Sequence, residues 1–328
     1  MDGTQATQIN ARPPRPASAV SMGVGVAGLV GLVIWITIAR SYGMDGSWSA
    51  LANVAACGVP MVLWSLVVDK VHLRASTGID WANPRPLRES IDVSLVKLAG
   101  LWATWGVIAG AYCLGRWYWR GNYLFAMELF EAAVPFLLIV SIPYVLWLDR
   151  YLKNPRDGAW HFGTWLIGQQ GWDSTEIAHH ARAWVVKGFF LAFMVSIVPG
   201  GFGDVVRRPS AEILASPVSL ASWLISFMFV IDVAFATVGY LLTMKPLDAH
   251  IRTANPYMQG WVAALMCYPP FVLMGENGVL YYQTATYGDA GWMHWFEGYP
   301  LLLTGWGAML VTLTALYAWA TVAFGLRF

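Results

Sequence analysis

Three polar segments of this chain share one order of residue types: an aspartate where an apolar run ends, basic residues beside it, then Asn-Pro. The first carries Asp69, His72 and Arg74 ahead of Asn83-Pro84. The second carries Asp149 and Arg150 ahead of Asn154-Pro155, and the third carries Asp248, His250 and Arg252 ahead of Asn255-Pro256. Basic residues favour helix C-termini and Asn-Pro ends a helix, so the pattern is first a repeated way of leaving a helix. Its chemical alternative is a polar surface built from three loops and able to hold a charged ligand, with Asp248, His250 and Arg252 as its best members. The aspartates are 80 and then 99 residues apart, too uneven for a solenoid repeat.

Asp232 is the sharpest single candidate. It is the thirteenth of the 25 residues in the apolar run 220–244. An ionised carboxylate at the centre of a bilayer costs roughly 2.5–3.5 kcal/mol on insertion scales. Two readings stay open: the relay carboxylate of a proton-linked carrier, or a hydrogen-bonded structural residue. Glu276 lies in Met274-Gly275-Glu276-Asn277-Gly278, a stretch able to cap a broken helix or line a re-entrant pocket. Glu128 and Glu131 are three apart, on one helix face at the start of a span. Asp173 with Glu176 reads as a capping pair that opens a helix. Glu176, His179 and His180 supply too few ligands to predict a metal, and Cys57, Cys113 and Cys267 read as packed free thiols.

Two further patterns concern helix geometry. The run from Gly23 through Gly25 to Gly28 matches a dinucleotide fingerprint in letters only, because no βαβ unit surrounds it. Its use is the series Gly23, Ala27 and Gly31, small residues that let another helix approach closely; Gly106 and Gly110 read the same way. Pro135, Pro143, Pro269 and Pro270 interrupt predicted helices and can open kinks or cavities.

The elements that must position these groups are apolar runs at 20–39, 51–68, 95–114, 124–148, 220–244 and 300–324, with weaker ones at 184–198 and 261–274. About 20 helical residues cross a hydrocarbon core roughly 30 Å thick, and backbone inside lipid must satisfy itself. We therefore expect an all-α, polytopic transmembrane bundle of about eight spans over residues 20–328, with both termini cytoplasmic. Residues 1–19 form a flexible cytoplasmic tail. This orientation puts thirteen basic residues inside: Arg12, Arg15, Lys70, Arg74, Arg85, Arg88, Arg150, Lys153, Arg156, Arg182, Lys245, Arg252 and Arg327. Five fall outside: Arg40, Arg116, Arg120, Arg207 and Arg208. Lys97 and Lys187 sit just inside helices at the inner edge, where they can snorkel. Six spans would give almost the same asymmetry, so charge speaks to orientation and not to span number.

Only 12% of the chain is charged and its net charge is +1, which leaves no field to recruit nucleic acid. Its 19 tryptophans include Trp48, Trp117, Trp119, Trp147, Trp184, Trp261, Trp292 and Trp295 near predicted membrane edges, where indole suits both phases. Membrane lipid is thus the first expected partner.

The segments LDAHIRTANPY (247–257) and TALYAWATVAFGLRF (314–328) resemble bacterial multi-span proteins of the isoprenylcysteine carboxyl methyltransferase-like group. The resemblance covers the membrane portion. In that group a helix ending in Gly-x-x-x-Arg or Gly-Leu-Arg precedes a cytoplasmic stretch with Gly-Pro-Tyr and His-Pro-x-Tyr elements. This chain has Gly325-Leu326-Arg327 and no His-Pro-x-Tyr, so only Arg327 carries over, as a cofactor-binding residue. The resemblance implies S-adenosylmethionine as cofactor, methyl transfer to a carboxylate on a lipid-embedded substrate, and a bacterial inner membrane. It also implies a fragment of a longer enzyme, or a relative without its catalytic end. The residues leave two rivals open: a small proton-linked transporter, and a non-catalytic subunit beside a membrane-protein partner.

Overall fold

The computed structural model describes residues 21–251, 254–266, 292–294 and 296–326. Among them there is no strand, only an isolated bridge between Ile79 and Leu152. Seven helices are long and apolar enough to cross a membrane. They are α1 (Met22–Tyr42), α2 (Ser47–Leu63, widening into a π-helical turn, Trp64–Val68), α3 (Leu87–Leu114), α4 (Tyr123–Tyr151), α6 (Ser174–Arg207), α8 (Pro217–Leu241) and α10 (Pro300–Phe324). Among the described residues there are also three short α-helices, α5 (Gly158–Leu166), α7 (Ser210–Ile213) and α9 (Met258–Leu265), and five brief 3-10 turns.

Local chemistry sets the ends. The Ser21 hydroxyl accepts from the Gly23 N–H to open α1, and Gly43 closes it at φ 66°, a conformation that costs glycine nothing. Asp173 caps α6 by accepting from the Thr175 N–H at 2.7 Å, as its spacing to Glu176 predicts. The weak apolar run at 184–198 is thereby part of one continuous helix of 34 residues. The weak run at 261–274 is described only as far as Met266, where α9 has already ended. Pro269, Pro270 and Cys267 lie outside the described residues. Helix α4 runs unbroken through Pro135 and Pro143.

Close backbone approach joins these helices, the kind of contact that helices able to cross lipid need, since lipid is as apolar as leucine. Gly31 lies against the Ala56 carbonyl, Gly25 against Val322, and Gly28 against Met61 and Phe235. Of the α1 series, Gly31 thus meets backbone of α2 and Gly23 meets the Trp64 ring, while Gly25 and Gly28 add close contacts outside it. Gly106 and Gly110 make no such contact: a Cβ at either would stand in open space. On α3 the close approach falls instead on Gly100, which meets Ala159 and Gly163 of α5, because that face of α3 receives the short helix. One core gathers α1, α2, the second half of α6, α8 and the end of α10 around Phe202 and Phe235, both fully buried. A smaller core joins Ala126 and Met127 of α4 to Ala192 and Val195 of α6.

The bundle has two ends. At the far face, Arg40 donates to the carbonyls of Val205 and Arg208, and Arg207 pairs with Asp45 at 3.2 Å. These contacts tie the α1–α2 turn to the end of α6. At the opposite end, the loop face, the segments after α2, α4 and α8 come together. Helices α8 and α10 run parallel: Gly307 faces Ala221 early in both, and Thr321 meets Asp232 later in both. Leu241 thus ends α8 at the loop face, while Pro300 begins α10 at the far face.

Candidate functional site

The loop face is built by the first of the three Asp/Asn-Pro segments, which bonds to both of the others. Toward the second, Lys153 N–H donates to the Gly78 carbonyl, Asp80 N–H to Tyr151 and Arg85 N–H to Arg150. The Arg85 guanidinium also donates to the carbonyls of Asp149 and Lys153, at 3.2 and 2.8 Å. Toward the third, the Ser76 hydroxyl donates to Asp248 Oδ2 at 2.6 Å. Lys70 and Asp248 are the only described non-glycine residues at positive φ, 49° and 51°. Each stands two residues before a histidine, His72 and His250, so the first and third segments bend alike. The three-loop surface is therefore a real assembly. Asp248 is buried within it, and His250 reaches the wall of a cavity. Arg252, Glu276 and Arg327 lie outside the described residues.

That cavity, about 1250 Å³, lies between the α3–α4 hairpin, α6 and the residues after α8. Its shaft is apolar and aromatic, with Trp102, Trp105, Tyr112, Phe130, Leu137 and Trp184 in the wall. Its base is charged. The Lys97 ammonium sits 2.5 Å from Asp149 Oδ1 and 3.0 Å from Asp157 Oδ2, with its side chain only 7% exposed. Ser94 donates to the other Asp149 oxygen at 2.9 Å, and Lys245 stands 3.8 Å from Asp157. Lys97 does not snorkel: ten residues into α3, it faces α4 and the start of α5, and two carboxylates hold it inside.

Two cations and two carboxylates make this cluster formally neutral. Burial alone would raise the Asp157 carboxyl, but Lys97 and Lys245 outweigh it and hold the group below its usual range. Burial likewise pulls the Lys245 ammonium down, against the attraction of Asp157. Asp157 also caps α5, accepting from the Trp160 N–H at 3.4 Å. With both oxygens of Asp149 occupied, the cluster braces α3, α4 and α5 and offers no free base.

Higher in the cavity, Lys187 donates to the Thr243 hydroxyl at 2.8 Å and lies over the Trp184 ring at 5.0 Å. His180 Nε2 is 2.8 Å from Thr104 Oγ1. That hydroxyl already donates to the Gly100 carbonyl, so the imidazole is the donor. Glu176 and His179 are also in the wall, and among the described residues no three His, Cys, Asp or Glu side chains converge as metal ligands.

Asp232 stands elsewhere, between α8 and α10. It accepts from the hydroxyls of Thr321 at 2.6 Å and Tyr317 at 3.1 Å, and it does not line the cavity. Glu128 and Glu131 are exposed near the start of α4. The groups that sequence reasoning passed over are Asp157, Lys245 and His180 as site residues, and the inward roles of Lys97 and Lys187. Two lysines inside apolar runs were the signal available for the cavity. No protein-family model, curated protein or solved structure matches this chain.

Proposed function

We propose that this chain is a multi-pass inner-membrane protein whose cavity binds a lipid-embedded amphiphile. The observation that carries the reading is one void with two chemistries: an aromatic, aliphatic shaft and a charged base. Sites between bundle helices typically enclose roughly 300–1,000 Å³, and this one is large enough for an acyl chain with its head. Parallel α8 and α10 support eight crossings, since the chain leaves one end of the bundle and resumes at the other. The start of α1 and the end of α10 meet through Gly25 and Val322, which supports both termini lying on one side. The basic residues of the loop face support that side being the cytoplasm.

A chain-brominated dodecyl amphiphile tests the reading, because bromine on the chain quenches nearby indoles. Saturable quenching of the purified protein is expected, and Ala109→Trp, which fills the shaft, should abolish it. Equal quenching in the variant would reject the cavity as the site.

Methyl transfer from S-adenosylmethionine to the amphiphile's carboxylate is the activity the resemblance adds. The residue that the resemblance assigns to that cofactor, Arg327, lies outside the described residues, and Asp149 and Asp157 in the cavity are both held by lysines. We derive no step through it. Failure of a full-length form to bind labelled S-adenosylmethionine would reject the assignment.

A further inference from the structure

We infer that the cavity selects an amphiphile with a single anionic head, a carboxylate or phosphate monoester, seated on Lys187. The inference rests on the amphiphile reading above and adds the sign of the head.

Charge is the argument. Among the described residues, the base of the cavity is self-neutralised, because Lys97 and Lys245 share Asp149 and Asp157. Lys187 has no carboxylate within ion-pair distance there, and neither does Arg182 on the same wall, whose buried Nε has no hydrogen-bond partner. The remaining acidic group in the wall, Glu176, is solvent-exposed. The wall therefore carries a formal positive excess beside an apolar shaft, and desolvated cations attract anions far more strongly than hydrated ones.

The ordinary reason for a lysine here is the negative end of α8, which terminates two residues before Thr243. That role uses one of three ammonium donors, at Thr243, and leaves two for an incoming oxygen. The Trp184 ring faces the same ammonium at 5.0 Å, and both residues line the void. Ile108 and Tyr112 pack beside the neighbouring Gly188 and line the same cavity, so a head on Lys187 has the shaft beside it for its chain.

The test is displacement of the brominated probe at pH 8 by laurate, dodecanol, dodecyltrimethylammonium, acetate and inorganic phosphate. Laurate should outcompete dodecanol about 10- to 100-fold, the range of one charge-assisted hydrogen bond. Dodecyltrimethylammonium should be weakest. Lys187→Gln should erase the laurate preference, and Lys187→Arg should keep it. If Lys187→Gln fails to fold, Arg182→Gln should lower the preference without abolishing it, and the wild-type head series still decides. Equal displacement by laurate and dodecanol would overturn the inference while the amphiphile reading stands. Acetate or phosphate acting as well as laurate would make the ligand a free anion and overturn it too. No saturable binding of any dodecyl compound would overturn both readings.

Discussion

Lys97→Met should be among the most damaging single changes in the bundle. It strands Asp149, which is 1% exposed, and takes one of two partners from Asp157, which is 32% exposed. Removing one member of a buried pair costs roughly 3–5 kcal/mol. Asp157 keeps Lys245 and some water, so most of the loss falls on Asp149. There is a ceiling: a proton on that carboxyl relieves the charge, and taking it up at pH 7 costs about 4 kcal/mol from a reference pKa near 3.9. The expected loss at neutral pH is therefore about 3–4 kcal/mol. Lys97→Met with Asp149→Leu removes both charges and refills the space, so it should lie within about 1 kcal/mol of the native protein. Unfolding in mixed micelles of increasing dodecyl sulfate, followed by circular dichroism, measures both variants. A loss below about 1 kcal/mol for Lys97→Met, with the double variant simply additive, would refute the bracing role.

Acid should act through Asp157. Its folded carboxyl is held below the ordinary range, so its contribution is complete above about pH 4 and is lost as pH falls through the lower folded value. The stability gap between native protein and Asp157→Asn should be flat from pH 7 to 5 and close in stronger acid; a gap that widens toward acid would contradict the assignment. Gly100→Ala and Gly163→Ala each push a methyl into facing backbone and should cost about 1–3 kcal/mol, while Gly110→Ala, in open space, should be neutral or slightly stabilising. Thermal unfolding of the three variants in detergent separates them, and similar values for all three would rule out the close α3–α5 crossing.

What could be read from sequence follows from the range of the forces involved. Membrane-length helices are local properties of hydropathy, so α1, α2, α3, α4, α8 and α10 stand out directly. The start of α6 is also local, since Asp173 caps a backbone N–H two residues away. The echo of Asp, base and Asn-Pro marks three segments that do meet, although nothing in their spacing says that Ser76 reaches Asp248. The cavity is invisible by the same logic. Leu137 in its wall and Ile139 facing outward are both strongly apolar, so periodicity cannot tell a void from lipid. The Lys97 cluster joins residues 52 and 60 positions apart across three helices, and no local pattern records that. Asp232 was legible as an expensive residue, but its partners are ordinary hydroxyls 85 and 89 positions away.

Helix α6 extends about 51 Å at 1.5 Å per residue, well beyond the thickness of a hydrocarbon core. Its first half forms a wall of the cavity, and its last turns hold the far face through Val205 and Arg207. A displacement of Lys187 by an occupant therefore has a rigid lever to travel along. The missing N–H of Pro199, followed at once by Gly200 and Gly201, marks a stretch where that lever can bend before it reaches Asp45. Stiffening that point would couple the two ends of the molecule, and loosening it would isolate them.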